Sequence, residues 1–207
     1  MKKEIVFNIL FTVSILFVYA IFPTKNNFQN IAVSVCFFLL VPILFNLIVT
    51  KKSFREMGFS LSWWKEGFLW AFISLVVGLL LFYVAFYYTG FAQHYVLEKE
   101  IQNNFYKFLS YEFSLVLPFI ILYEFFFRGF FMLSLKKQIG YSAILVQAVF
   151  FVLFLVFTGS FDWYFAPYLL FSLFSGIVAY KSESIIYSAI ANIVFMVIVD
   201  ASVIATR

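Results

Sequence analysis

Histidine occurs once, at His94, and cysteine once, at Cys36. A lone cysteine closes no intramolecular disulfide and builds no cysteine-based metal site. A lone histidine excludes the multi-histidine centres in which about three protein ligands hold a catalytic zinc. Charge is scarce as well: Lys, Arg, Asp and Glu make up 12% of the 207 residues, against about a quarter in a soluble domain. In their place the chain is 65% hydrophobic and 24% aromatic, with a mean hydropathy of +1.02. So much apolar surface cannot be hidden inside a soluble fold of this length. The expected class is an all-α polytopic membrane bundle. Apolar runs of the length that crosses a bilayer as a helix recur along the chain. They are continuous rather than alternating, which argues against an outer-membrane barrel.

Seven such segments are predicted, at about Ile5–Phe22, Ile31–Thr50, Phe68–Phe91, Tyr106–Leu135, Ser142–Thr158, Tyr164–Tyr180 and Ile185–Val203. The Met1-Lys2-Lys3 flank resembles the start of a signal peptide, but no small-residue cleavage site follows, so the first segment is read as a retained helix. Pro118 is expected to kink the long fourth segment, which neighbouring helices tolerate. Between the second and third lies a basic, aromatic stretch of residues 51–67, expected to be a cytoplasmic interfacial helix or loop. No linker, repeat or low-complexity stretch divides residues 1–207, which read as one integral membrane domain with a core at 106–203. The net charge of +4 reflects topology rather than nucleic-acid binding. With the amino terminus inside, nine basic residues (Lys2, Lys3, Lys51, Lys52, Arg55, Lys65, Lys136, Lys137, Lys181) face the cytoplasm. Four (Lys25, Lys99, Lys107, Arg207) face outward. The positive-inside rule then places the amino terminus in the cytoplasm and the carboxyl terminus outside, in a bacterial inner membrane.

Inside the fourth segment, Tyr123-Glu124-Phe125-Phe126-Phe127-Arg128-Gly129 carries an acid and a base four residues apart. On a helix these lie one above the other and can pair. An ionised side chain at membrane depth is costly and marks a functional or firmly paired site. Counting from the ends of their segments, Arg128 lies ~12 Å, Glu124 ~18 Å, Gln147 ~9 Å and Asn192 ~12 Å from the same surface. Three helices thus bring polar groups to similar depth, where they need partners. One reading is a polar cavity opening to the cytoplasm, bound by Tyr123, Gln147 and Asn192. The other is a satisfied cluster in which Arg128 neutralises Glu124 while Gln147 and Asn192 complete the hydrogen bonds. Ser172 and Gly176 form a small-xxx-small pair for close helix approach. Glu112 and Asp200, near the outer ends of their segments, are expected to be solvated, and Asp162 to be a loop residue.

The Glu124–Gly129 stretch resembles the first motif of the CPBP family, the CAAX-prenyl-protease and bacteriocin-processing (Abi) membrane proteins, whose signature is Glu-Glu-x-x-x-Arg. The basic stretch around Phe54–Gly58 is similar to the loop before that family's core. The lead-in Ser184–Ala191 is similar to its last motif. In active members the first glutamate and two later histidines are thought to hold and activate water. Here the resemblance aligns Tyr123 with that glutamate, Phe151 and Leu155 with a Phe-x-x-x-His motif, and Asn192 and Met196 with a His-x-x-x-Asn motif. It therefore implies the family fold with degenerate catalytic motifs: Glu124 is catalytic only if the protein is active, and Arg128 is its structural partner.

The residues agree with that implication. Water activation needs a base and groups that polarise the carbonyl, and the membrane portion offers one glutamate already engaged by an arginine. No cofactor and no metal ligand set is expected. The leading reading is a catalytically inactive binding, scaffold, immunity or regulatory component with membrane lipid and a membrane-protein or peptide partner. The alternative is an intramembrane endopeptidase using Glu124. A transporter ranks behind both, for want of repeated broken helices.

Overall fold

The computed structural model describes residues 2–95 and 97–206, with side chains from residue 5 onward. The expected charges at Lys2, Lys3 and Arg207 therefore lie outside the described side chains. Among the described residues there is helix and no strand. The elements are α1 (Lys2–Ile21), α2 (Asn27–Thr50), α3 (Trp64–Tyr88), two single turns α4 (Phe91–His94) and α5 (Lys99–Gln102), α6 (Phe105–Ile139), α7 (Ser142–Phe157), α8 (Ala166–Ser182) and α9 (Ile185–Ala205).

Local chemistry sets the boundaries. The side chains of Asn26, Asn104 and Ser184 accept hydrogen bonds from backbone N–H groups in the first turns of α2, α6 and α9, satisfying donors that a helix start leaves orphaned. Lys51 and Glu183 adopt left-handed backbone at the ends of α2 and α8. Pro42 and Pro118 lack the N–H needed to bond four residues back. Ahead of each the helix widens by a π turn, with Val41 N–H bonding to Cys36 O and Leu117 N–H to Glu112 O. The freed carbonyls are thereby re-paired inside a membrane helix.

Four helices (α2, α3, α6 and α9) are long and apolar enough to cross a membrane alone, and α1 and α7 include shorter apolar stretches, Ile5–Ile21 and Ser142–Phe157. The chain is a multi-pass membrane protein. Contacts between loops define two ends of the bundle. At one end Lys137 approaches Glu56 at 3.8 Å, Lys136 bonds Glu183 at 2.7 Å, and Lys181 donates to the Tyr141 hydroxyl at 2.9 Å. At the other, His94 stacks on Trp163 and Tyr95 on Tyr164. Each of the seven long helices runs from one end to the other. Their bounds follow the predicted segments, except that α2 starts at Asn27, α3 starts at Trp64 and α6 continues to Ile139. The 51–63 link is a series of turns rather than a helix. It is tied down by Met57, which is buried, and by Ile185 N–H donating to Gly58 O at 2.9 Å.

The middle of the bundle is aromatic. Phe38, Tyr123, Phe126, Phe127, Phe151 and Phe154 pack edge to face or tilted, with centroids 4.9–6.5 Å apart, the arrangement that ring quadrupoles favour. Rigid rings surround the polar residues of α6 and restrict them to one arrangement.

Candidate functional site

Residues Glu124–Met132 of α6 form a stretch of π geometry in which Leu133 N–H bonds to Arg128 O. Such departures from α geometry often accompany functional sites. Here the stretch is wholly buried, and it aims Glu124 at α9 and Arg128 at α8.

Glu124 is fully buried. Its Oε2 accepts from Ser188 Oγ at 2.7 Å and its Oε1 from Asn192 Nδ2 at 2.9 Å. Arg128 Nε lies 3.8 Å from Glu124 Oε1. The guanidinium also donates through Nη2 to Ser172 O at 3.1 Å and sits over the Phe151 ring at 5.6 Å. Gln147 does not reach Glu124; its Nε2 donates to the same Ser172 carbonyl at 3.1 Å. Helix α8 comes this close because residue 176 is glycine: a Cβ there would stand 2.9 Å from Gln147 Nε2. The small pair Ser172/Gly176 therefore lets a main-chain carbonyl serve as acceptor for two other helices.

The expected convergence of Glu124, Arg128, Gln147 and Asn192 is present, with two differences. The cluster is closed, every member being at most 3% exposed, so it is not the polar cavity open to the cytoplasm. Tyr123 does not join it. One residue before Glu124 on the helix, its ring turns into the aromatic core beside Phe151, Phe154 and Tyr168. It lines a pocket of about 190 Å³ with Tyr19, Asn30, Thr158, Tyr164 and Tyr168. That pocket lies toward the His94 end, whereas a cytoplasmic opening was expected at the end that carries Lys136.

Ser188, which the sequence reading passed over, stands four residues before Asn192 and so on the same face of α9. That spacing was a usable signal. A larger correction concerns Glu112 and Asp200, expected to be solvated. Glu112 is 6% exposed and Asp200 fully buried. Outward of the Glu124–Asn192 contact, Glu112 lies ~18 Å along α6 and Asp200 ~12 Å along the antiparallel α9. The two buried acids lie close to one another where α6 passes α9. Tyr95 donates to Asp200 Oδ1 at 2.5 Å, and Tyr111 bonds Tyr164 beside it. Asp162 is a loop residue as expected; its carboxylate accepts from Tyr164 N–H at 2.9 Å.

Glu112→Gln keeps the side chain's shape and polarity while removing one of two buried acids, and should be nearly silent. Asp200→Ala removes the carboxylate that accepts from the Tyr95 hydroxyl and should cost about 1–3 kcal/mol. Thermal unfolding in detergent compares the two; equal losses would show that Glu112 matters as much as the acceptor of the Tyr95 bond.

Chemically, the Glu124 site holds one carboxylate whose oxygens are both engaged. Among the described residues no group of three or more His, Cys, Asp or Glu side chains is placed to hold a metal ion. His94 lies at the far end of the bundle, with Nδ1 3.1 Å from Gly90 O and its ring on Trp163. Phe151 and Leu155 of α7 are buried apolar side chains, as is Met196 of α9.

Residues 106–198 match the family model described as Rce1-like, type II CAAX prenyl endopeptidase Rce1-like. No curated protein and no solved structure gives a match.

Proposed function

We propose that this protein, whose residues 106–198 match the Rce1-like family model, is a catalytically silent membrane protein of the CAAX-protease type that acts by binding. Its role is that of a scaffold, immunity or regulatory component for a membrane-protein or peptide partner. It sits in a bacterial inner membrane with its amino terminus in the cytoplasm. The observation that carries this reading is the state of Glu124: fully buried, and bonded through both oxygens to Ser188 and Asn192. A general base must reach the water it activates, and Glu124 has no unengaged oxygen and no solvent access. The positions aligned with the family's water-holding groups are Tyr123, Leu155 and Asn192. Tyr123 is turned away into the aromatic core, Leu155 is aliphatic, and Asn192 already serves as a donor to Glu124.

Purified protein incubated with a prenylated CAAX peptide should release no tripeptide above the rate seen with Glu124→Gln. Cleavage by the wild type that disappears in Glu124→Gln would establish the alternative, an intramembrane endopeptidase based on Glu124. A pull-down in mild detergent tests the binding role directly, since a stoichiometric membrane partner should be retained by wild type and Glu124→Gln alike.

A further inference from the structure

The link at residues 51–63 does more than connect α2 to α3. Together with the ends of α6 and α8 it encloses a pocket of about 330 Å³, lined by Lys52, Arg55, Glu56, Ser134, Lys136, Lys137, Tyr180 and Glu183 among others. Four of these residues are basic and two acidic, so the walls carry a formal charge of +2. The acids arrange the cations rather than cancel them. Lys136 is fixed by Glu183 and by Tyr180 O, both at 2.7 Å, and lies over the Tyr180 ring. Glu56 approaches Lys137 at only 3.8 Å, and hydrogen bonds from Ser53 hold its carboxyl below the usual range, so it is ionised at neutral pH. Arg55 keeps most of its donors, spending one on Ser62 Oγ at 2.7 Å.

The surroundings of the pocket are apolar and open. Leu44, Leu47 and Ile48 are at least half exposed on the last turns of α2. On the link and the start of α3, Phe54, Leu61, Trp63 and Trp64 are also at least half exposed. Aromatic and basic residues placed together at the ends of membrane helices mark the interfacial layer of a bilayer. A cationic recess at that depth, bordered by lipid-facing aliphatic side chains, meets the two parts of an anionic amphiphile together. We propose that this pocket binds the phosphate headgroup of an anionic phospholipid, with Arg55 and Lys137 contacting the phosphate and the acyl chains lying along α2. Basic pockets between transmembrane helices are suited to this chemistry. The bound headgroup bridges the link to α6, and so stabilises the loop that covers the motif helix.

The test uses the full chain in a neutral detergent doped with phosphatidylglycerol, with phosphatidylcholine, or with inorganic phosphate alone. Bound lipid is read by native mass spectrometry and by the shift in thermal unfolding. Wild type should retain phosphatidylglycerol and gain thermal stability, while phosphatidylcholine and inorganic phosphate leave it unchanged. Arg55→Gln with Lys137→Gln should bind phosphatidylglycerol about twenty-fivefold more weakly, two losses of roughly fivefold each. Its unfolding in phosphatidylcholine should be unaltered. If the double variant fails to fold, Lys137→Gln alone, at a side chain 84% exposed, should show the roughly fivefold loss. Equal retention by wild type and variant would overturn the proposal, as would equal binding of phosphatidylcholine. A full shift from inorganic phosphate alone would assign the pocket to a soluble anion and overturn the lipid assignment.

Discussion

Arg128→Ala should destabilise the protein by about 3–5 kcal/mol, more than the double change Glu124→Gln with Arg128→Met. The single change removes the cation 3.8 Å from Glu124 Oε1 and leaves the carboxylate in a fully enclosed site. Ser188 and Asn192 still donate to it, but two neutral hydrogen bonds do not replace the compensating charge in a medium of low dielectric. The double change removes both charges. A glutamine carbonyl at position 124 can still accept from Ser188 or Asn192, and methionine fills the volume beside Phe151. The Ser172 carbonyl keeps Gln147 as a donor in either variant. Unfolding in detergent, monitored by tryptophan fluorescence against temperature, compares the three proteins. Equal stability of the single and double variants would mean that Glu124 and Arg128 do not act as a pair.

Gly129→Ala should be as damaging, for a steric reason one residue further along the same helix. A Cβ at position 129 would stand 2.5 Å from the carbonyl oxygen of Met57 and 3.1 Å from Ile185 Cγ2. The first neighbour is backbone, and it is pinned: Met57 N–H bonds to Ser53 O and Phe54 O at 3.2 Å, and the adjacent Gly58 O accepts from Ile185 N–H at 2.9 Å. Gly58 itself has φ +92°, a conformation that favours glycine, so the link has little freedom to move aside. The expected loss is about 3 kcal/mol, at the upper end of overpacking costs. Gly78→Ala is the comparison, since its nearest neighbours are Phe171 ring atoms at 3.0 Å, which can shift by a small rotation. Gly129→Ala should also release the 51–63 link, read as faster trypsin cleavage at Arg55. A loss no greater than that of Gly78→Ala, with unchanged proteolysis, would contradict the close approach of the link to α6.

The two variants touch different halves of one motif. Glu124 and Arg128 look inward to α9 and α8, while Gly129 looks outward to the link. The Glu124–Gly129 stretch therefore has a structural role of its own, whatever chemistry the site performs. It fastens three helices and a loop together.

Much of this was legible in the chain itself. Continuous apolar runs, punctuated by Lys-rich and Asn-, Ser- or Gly-containing breaks, determined the membrane class and the approximate bounds of seven long helices, because a bilayer admits few ways of pairing backbone groups. The spacing of Glu124 and Arg128 determined their pairing, since an i, i+4 contact lies within one helix and needs no knowledge of the fold. Depth, counted at 1.5 Å per residue, brought Gln147 and Asn192 to the right level. Rotation about each helix axis was beyond reach of that counting. Only the tertiary structure decided that Gln147 meets the Ser172 carbonyl instead of Glu124, that Tyr123 turns into the aromatic core, and that the cluster is closed. It also decided that Glu112 and Asp200, each near a helix end where solvation was expected, face each other under Tyr95. The physical reason is common to all four. A sequence specifies height along a helix, but the direction a side chain faces depends on which neighbouring helix comes close, and that is settled by small residues such as Gly129 and Gly176 at contacts far apart in the chain.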